Sequence, residues 1–363
     1  MKDMITSKPR IPLRHILLIG ILPTLLKKLL YRIRGYKIGK RVKIGFGSVL
    51  CGEEVSIGDH TSIGFFTVIR GQRIVIGPHV KIGSTTFLDS PYIEIGEESK
   101  INEQVFVGGL QDPDSRFVMG RNCQIFQLCY INPARYITIG DNSAIGGNSL
   151  VFGHASWLSE LDGYPVTFAP VEIGNNVSVS WKVFILPGVK IGDGALVGAN
   201  SLVNKDIPAN CLASGFPARV LSRWPDFPRV TTTQDRVFLL KKIMNEMISY
   251  LRKCRFECNE IETNYYALKF CRQRFLRKKQ YNWKVRVIYT DEQLIGSGGD
   301  GRVDVLISLK EVSYVNRRRW SGNGTLWIDI EKRERADINT EFGEEVIQYL
   351  RRYGLRFLRW HES

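Results

Sequence analysis

Ile38-Gly39, Ile57-Gly58, Ile76-Gly77 and Ile95-Gly96 follow one another at intervals of 19 residues. Ile44-Gly45, Ile63-Gly64 and Ile82-Gly83 each fall six residues after one of those pairs. The ladder resumes with Met119-Gly120, Ile139-Gly140, Ile145-Gly146, Ile173-Gly174, Ile191-Gly192 and Val197-Gly198. Two residues before the aliphatic a small or β-branched side chain recurs, among them Val42, Thr61, Val80, Ser99 and Ser143. Such a period is neither that of a helix nor that of a hairpin meander. It describes a short strand ending in a corner, three of which close a triangular coil. One coil alone buries nothing, whereas stacked coils place each aliphatic over the one below and build a continuous column. About eight coils are expected between Ile38 and Val203, with glycine and proline at corners where unusual dihedrals are needed.

The 363 residues are 44% hydrophobic and carry a formal charge of +15, a balance suited to a soluble globular chain and not to a disordered or fibrous one. Residues 1–44 hold +11 of that charge, residues 45–223 hold −4 and residues 224–363 hold +8. Seven cysteines without any C-x-x-C spacing suit free thiols in a reducing compartment. The basic start, "IPLRHILLIGILPTLLKKLLYRIRGYK", is too short and interrupted to span a bilayer and lacks the small-residue cleavage site of a secretory signal. Its leucines and lysines fit an interfacial amphipathic helix, so residues 10–34 are expected to meet a membrane surface, or else to pack on the protein itself.

The count of six breaks twice. "GGLQDPDSRF" at 108–117 reads as a turn-rich loop. The interval from Ile139 to Ile173 is 34 residues where one coil takes about 19, leaving an excursion that holds His154, Trp157, Asp162, Tyr164 and Phe168. Long loops on a rigid scaffold commonly carry function. An alcohol attacking an acyl thioester must lose its proton, and a histidine is the side chain best matched to take it. Aromatic faces would stack on a sugar ring, and Asp162 would orient the imidazole. His60 and His79 lie 19 apart, but a catalytic zinc needs three protein ligands and no third histidine falls in register, so no metal is expected.

The repeat, with "GHASWLSELDGYPVTFAPVEIGNN" and "ILPGVKIGDGALVGANSLVNKDIPANCLASGFPARVL", resembles the hexapeptide-repeat acyltransferases over roughly residues 38–222, and within them the sugar and polysaccharide O-acetyltransferase branch. That resemblance implies a mainly β fold, a left-handed parallel β-helix, assembled as a homotrimer with active sites between subunits. It implies acetyl-CoA as acyl donor and His154 as general base, with Trp157, Asp162 and Tyr164 at the acceptor. Trp181, Ala199, Asn204 and Lys205 would line the coenzyme A groove, and Arg219 would meet the nucleotide phosphate. Where galactoside-type enzymes carry Trp-Ile-Gly after "IGNNV", this chain has Ser178-Val179-Ser180 and then Trp181.

The expected organisation is a basic amphipathic segment at 1–37, the coils at 38–222, a linker at 223–234 and a small α+β domain at 235–363. In the last of these, helical spacing begins at "DRVFLLKKIMNEMISYLRKC", three strands follow, and "IGSGGDGRVD" reads as a hairpin turn because it lacks the context of a phosphate loop. Arg317, Arg318 and Arg319, with Arg272, Arg274, Arg277, Lys278 and Lys279, could hold an acidic glycan or headgroup, or form a solvated basic face. The expectation is an O-acetyltransferase acting on a sugar hydroxyl of a cell-surface polysaccharide or its precursor, peripheral on the inner face of the cell membrane, with no nucleic-acid partner. N-acylation of an amino sugar and a non-catalytic glycan-binding scaffold are the alternatives.

Overall fold

The aliphatic ladder closes into coils because each of its residues has one inward position and one neighbour directly above. The computed structural model describes residues 12–156, 158–274, 277–296 and 303–362, in two compact units, 1–230 and 231–363. In the first unit three parallel sheets wrap the core, with eight coil strands on each face. On the first face Ile38, Ile57, Ile76, Ile95, Met119, Ile139, Ile173 and Ile191 stand in register. The second face stacks Ile44, Ile63, Ile82, Ile101, Ile125, Ile145, Val179 and Val197. The third stacks Leu50, Ile69, Leu88, Val107, Ile131, Val151, Ile185 and Val203. All three columns are buried and form one core.

The smaller inward residues tie coil to coil. Thr67 Oγ1 donates to Gly83 O at 2.8 Å, and Ser143 Oγ donates to Gly174 O at 2.8 Å while accepting from Val177 N at 2.9 Å. Buried hydroxyls are thereby satisfied on the backbone of the next turn.

The expectation for glycine needs correcting. The glycines of the aliphatic-Gly pairs have ordinary φ, while the left-handed corner residues are Arg41, His60, His79, Asn142, Asn176 and others outside those pairs. The pairs need glycine for space: a Cβ on Gly45 would lie 2.3 Å from Gly64 O. His60 and His79 occupy equivalent corners, their rings stacked at 4.8 Å.

Coil 1 would leave its backbone carbonyls unpaired on the open edge, and the helix Thr24–Ile33 covers them. Lys27 Nζ donates to Gly45 O at 2.6 Å and Ser48 O at 3.1 Å, Thr24 Oγ1 to Ile44 O at 2.9 Å, and Arg32 Nη2 to Ile38 O at 2.7 Å. Tyr31 OH accepts from Leu50 N at 2.9 Å. Burial lowers the Lys27 pKa from 10.5 to about 8. Between those two values the unfolded chain binds more protons than the folded one, so stability rises with pH across the window from about 8 to 10.5. In urea titrations from pH 7.5 to 10.5, the wild type is expected to gain stability relative to Lys27→Met. A pH-independent difference would refute that account.

The second unit is a seven-stranded sheet in the order Phe256–Glu262, Tyr265–Arg274, Arg277–Ile288, Val305–Ser308, Leu326–Asp329, Glu334–Ala336 and Leu358–Trp360. Helix Thr233–Lys253 opens it with a capping box from Thr232 and Asp235. The stretch read as a hairpin turn joins Arg277–Ile288 to Val305–Ser308, which pair in parallel, so it is part of a crossover; its residues 297–302 lie outside the described residues. Arg317 is turned inward and pairs with Asp329 at 3.0 Å and with Glu334, which excludes it from any surface cluster. Arg318 pairs with Glu362 at 2.7 Å, and the side chains of 272–279 lie outside the description.

Candidate functional site

Both breaks in the period leave the coil at the same corner, the one that follows the third face. The first starts at Gly108, after strand Phe106–Val107 of coil 4. The second starts at Gly153, after strand Leu150–Phe152 of coil 6. Gly153 permits this exit, because a Cβ there would lie 2.9 Å from Arg135 N and 3.1 Å from Arg135 O. The excursion is a hairpin in which His154–Ala155 pairs antiparallel with Thr167–Phe168. Its register sets His154 opposite Phe168, and the two rings pack at 4.2 Å between centroids.

The two interruptions meet on Arg135, a residue that the sequence reading did not single out. Arg135 Nη1 bonds Asp112 Oδ2 of the first loop at 2.5 Å, and its guanidinium lies 5.9 Å from the Phe168 ring of the second. The chain Asp112, Arg135, Phe168, His154 therefore fixes the imidazole from behind through packing. Only the break in the aliphatic pattern at "NPARY" hinted that this corner differs. Arg135→Ala frees Phe168, and under the transfer reaction proposed below turnover is expected to fall about tenfold with little change in KM, as for a positioning residue. Unchanged turnover would show that the hairpin holds its own shape.

The remaining hairpin residues stand in solvent. Asp162 lies in the short turn Glu160–Asp162 at the tip and makes no described contact with His154. Tyr164 is half exposed, and Leu161, next to Asp162, is 98% exposed. Trp157 lies outside the described residues.

The residues expected near the coenzyme fall in three places. Register puts Trp181 and Ala199 on successive coils at the corner between the second and third faces, two positions past Val179 and Val197. Trp181 packs on Phe126 at 5.8 Å and crowds Gly147, where a Cβ would meet its ring at 2.4 Å. Asn204 and Lys205 follow Val203, at the corner that also bears His154 two coils earlier. Arg219 lies on strand Ala218–Arg223, which closes the second sheet as a hairpin with Cys211–Gly215.

Between the two corners runs the third face, about 17 Å wide at ~3.3 Å per residue. Its outward side is a stack of rings: Phe87 on Phe106 at 5.0 Å, Phe106 on Tyr130 at 5.1 Å, Tyr130 on Phe152 at 5.5 Å, Phe152 on Phe184 at 5.1 Å. The other two faces present Lys43, Lys81, Lys100 and Glu172, Lys190 outward. These rings are half-buried and form a continuous aromatic strip along the third face.

No protein-family model matches the chain. Among curated relatives it is 38% identical over 118 residues to the galactoside O-acetyltransferase of Escherichia coli, covering 30% of this chain and 58% of that one. It is 39% identical over 85 residues to the putative acetyltransferase YvoF of Bacillus subtilis, covering 23% and 46%. The chain thus spans about half the length of the curated relatives it matches. A loose superposition on the UDP-N-acetylglucosamine acyltransferase of Campylobacter jejuni has a TM-score of 0.37 at 19% identity, over 58% of this chain and 79% of that one. The six-residue repeat and its three parallel faces thus build a parallel β-helix, and part of this chain is similar in sequence to acetyltransferases, one of them acting on galactosides.

Proposed function

We propose that the chain transfers an acetyl group from acetyl-CoA to a sugar hydroxyl of a cell-surface polysaccharide or its precursor, at the inner face of the cell membrane. One observation carries the reading: His154 stands on a hairpin thrown from a rigid coil, its ring held by Phe168, in a chain related to a galactoside O-acetyltransferase.

In this reading the imidazole of His154 accepts the hydroxyl proton as the sugar oxygen attacks the thioester carbonyl carbon. The tetrahedral oxyanion collapses, the carbon–sulfur bond breaks, and the imidazolium returns the proton to the departing thiolate. Trp181, Ala199, Asn204 and Lys205 would hold the pantetheine arm and Arg219 the nucleotide phosphate. Tyr164 and Asp162, with Trp157, would contact the acceptor.

In one chain His154 and the pair Trp181–Ala199 sit on different corners, with the ring-covered third face between them. A homotrimer that buries that face would bring the corner of one copy against the corner of the next and complete each site. The aromatic strip supports this assembly.

The test is O-acetyl content of surface polysaccharide in cells lacking the gene, complemented by wild type. Restored esters labile to mild base support the reading; base-stable acetyl groups would make the product an amide. Failure of the purified chain to bind acetyl-CoA would sink it in favour of a binding scaffold.

A further inference from the structure

An amphipathic helix ordinarily buries its apolar stripe and exposes its charges. The helix Thr24–Ile33 does the reverse. Lys27 and Tyr31 are fully buried against coil 1, whereas Leu25 is 79%, Leu29 56% and Ile33 73% exposed. The cause is the open edge of coil 1, whose carbonyls need donors that leucine cannot supply and Lys27, Thr24 and Arg32 can. The preceding segment continues the apolar surface, with Leu17 65%, Leu18 72% and Ile21 52% exposed.

We propose that this inverted face lies in the headgroup region of an anionic bilayer and stands the coils on end upon it. Charge complementarity selects the occupant. Arg14, Arg34, Lys37, Lys40 and Arg41 are exposed in the same N-terminal segment, residues 1–44, which carries +11. A second copy would bring the same positive segment against itself, which disfavours face-to-face pairing. No helix among the described residues is long and apolar enough to cross a membrane, so the contact is interfacial.

The docking carries a consequence for the acceptor, and this clause alone rests on the acetyltransferase reading. His154 follows coil 6, five coils beyond the capped edge, and strands stack ~4.8 Å apart, so the base stands about 24 Å above coil 1. A bilayer-attached acceptor must be a glycan long enough to reach that height, and the sugar next to the lipid is out of range.

The full chain is mixed with vesicles of phosphatidylcholine alone or with about 30 mol% phosphatidylglycerol and sedimented. Wild type is expected to partition at least tenfold better onto the anionic vesicles, and to lose that advantage in high salt. Leu25→Glu/Leu29→Glu/Ile33→Glu is expected to lower partitioning at least tenfold while keeping the wild-type melting profile, since none of the three side chains is buried. Equal binding to both vesicle types overturns the proposal on wild type alone. So does a folded triple variant that binds as well as wild type, or one that dissociates into smaller oligomers without any change in lipid binding, which would assign the face to a second copy. Acetyl-CoA binding measured on the same preparations separates the two readings: its loss sinks the catalytic proposal and leaves the docking untouched.

Discussion

Replacing His154 by alanine lowers the rate of acetyl transfer by 10² to 10⁴, with acetyl-CoA affinity unchanged within about twofold. The magnitude is that of removing a positioned general base, roughly 3–5 kcal/mol of transition-state stabilisation. Acetyl-CoA affinity is expected to hold because the proposed mechanism gives the imidazole a proton to carry, while the hold on the coenzyme is assigned to Trp181, Ala199, Asn204, Lys205 and Arg219. His154→Asn keeps a hydrogen-bonding side chain of similar size on Phe168 and is expected to be as inactive as alanine, because an amide cannot take a proton at neutral pH. Single-turnover acetyl transfer and calorimetric acetyl-CoA titration check both variants. Full activity in either one would move the base elsewhere. Weakened acetyl-CoA binding with intact turnover would place His154 in the donor site.

What could be read from the sequence was whatever repeats. The three aliphatic columns, the coil count and the position of His154 at a break all follow from a period visible without partners. The unread features are contacts between distant turns. Arg135 meets Asp112 23 residues earlier and Phe168 33 later, and nothing in either local stretch specifies that encounter. The outward ring stack on the third face was equally hidden: Phe87, Phe106, Tyr130 and Phe184 occupy one column only once the register is known. For the N-terminal helix the amphipathic pattern was plain, but its orientation was not. Which face packs depends on whether the partner surface is apolar or, as at the open edge of coil 1, a row of carbonyls. Arg317 shows the same limit in the second unit, since three consecutive arginines look alike until Asp329 and Glu334 claim the first.

The glycines of the ladder supply the other large effect. Gly58 has ordinary φ, so a side chain there meets no backbone strain of its own, yet a Cβ would lie 2.3 Å from Pro78 N, 2.5 Å from Gly77 C and 2.7 Å from Pro78 Cα. Backbone cannot swing aside as the end of a flexible side chain can, so coil 3 must lift from coil 2 at that corner. The nearest casualties are the bond from Gly58 N to Ile76 O at 2.7 Å and that from His79 N to Asp59 O at 2.8 Å. Overpacking costs about 1–3 kcal/mol and each weakened bond about 1 kcal/mol more, so Gly58→Ala is expected to destabilise the coils by roughly 3–5 kcal/mol. Gly163 is the control for the opposite reason. It has φ of 84° and nothing within 4 Å of its Cβ position, so alanine there costs only the left-handed strain, about 1–2 kcal/mol, and that in an exposed hairpin tip. Urea unfolding of the two variants distinguishes room from dihedral. A large shift for Gly58→Ala with a small one for Gly163→Ala assigns the ladder glycines to the 4.8 Å approach of stacked turns. Equal shifts would mean that the turns separate at little cost and that the repeat needs glycine for some property other than space.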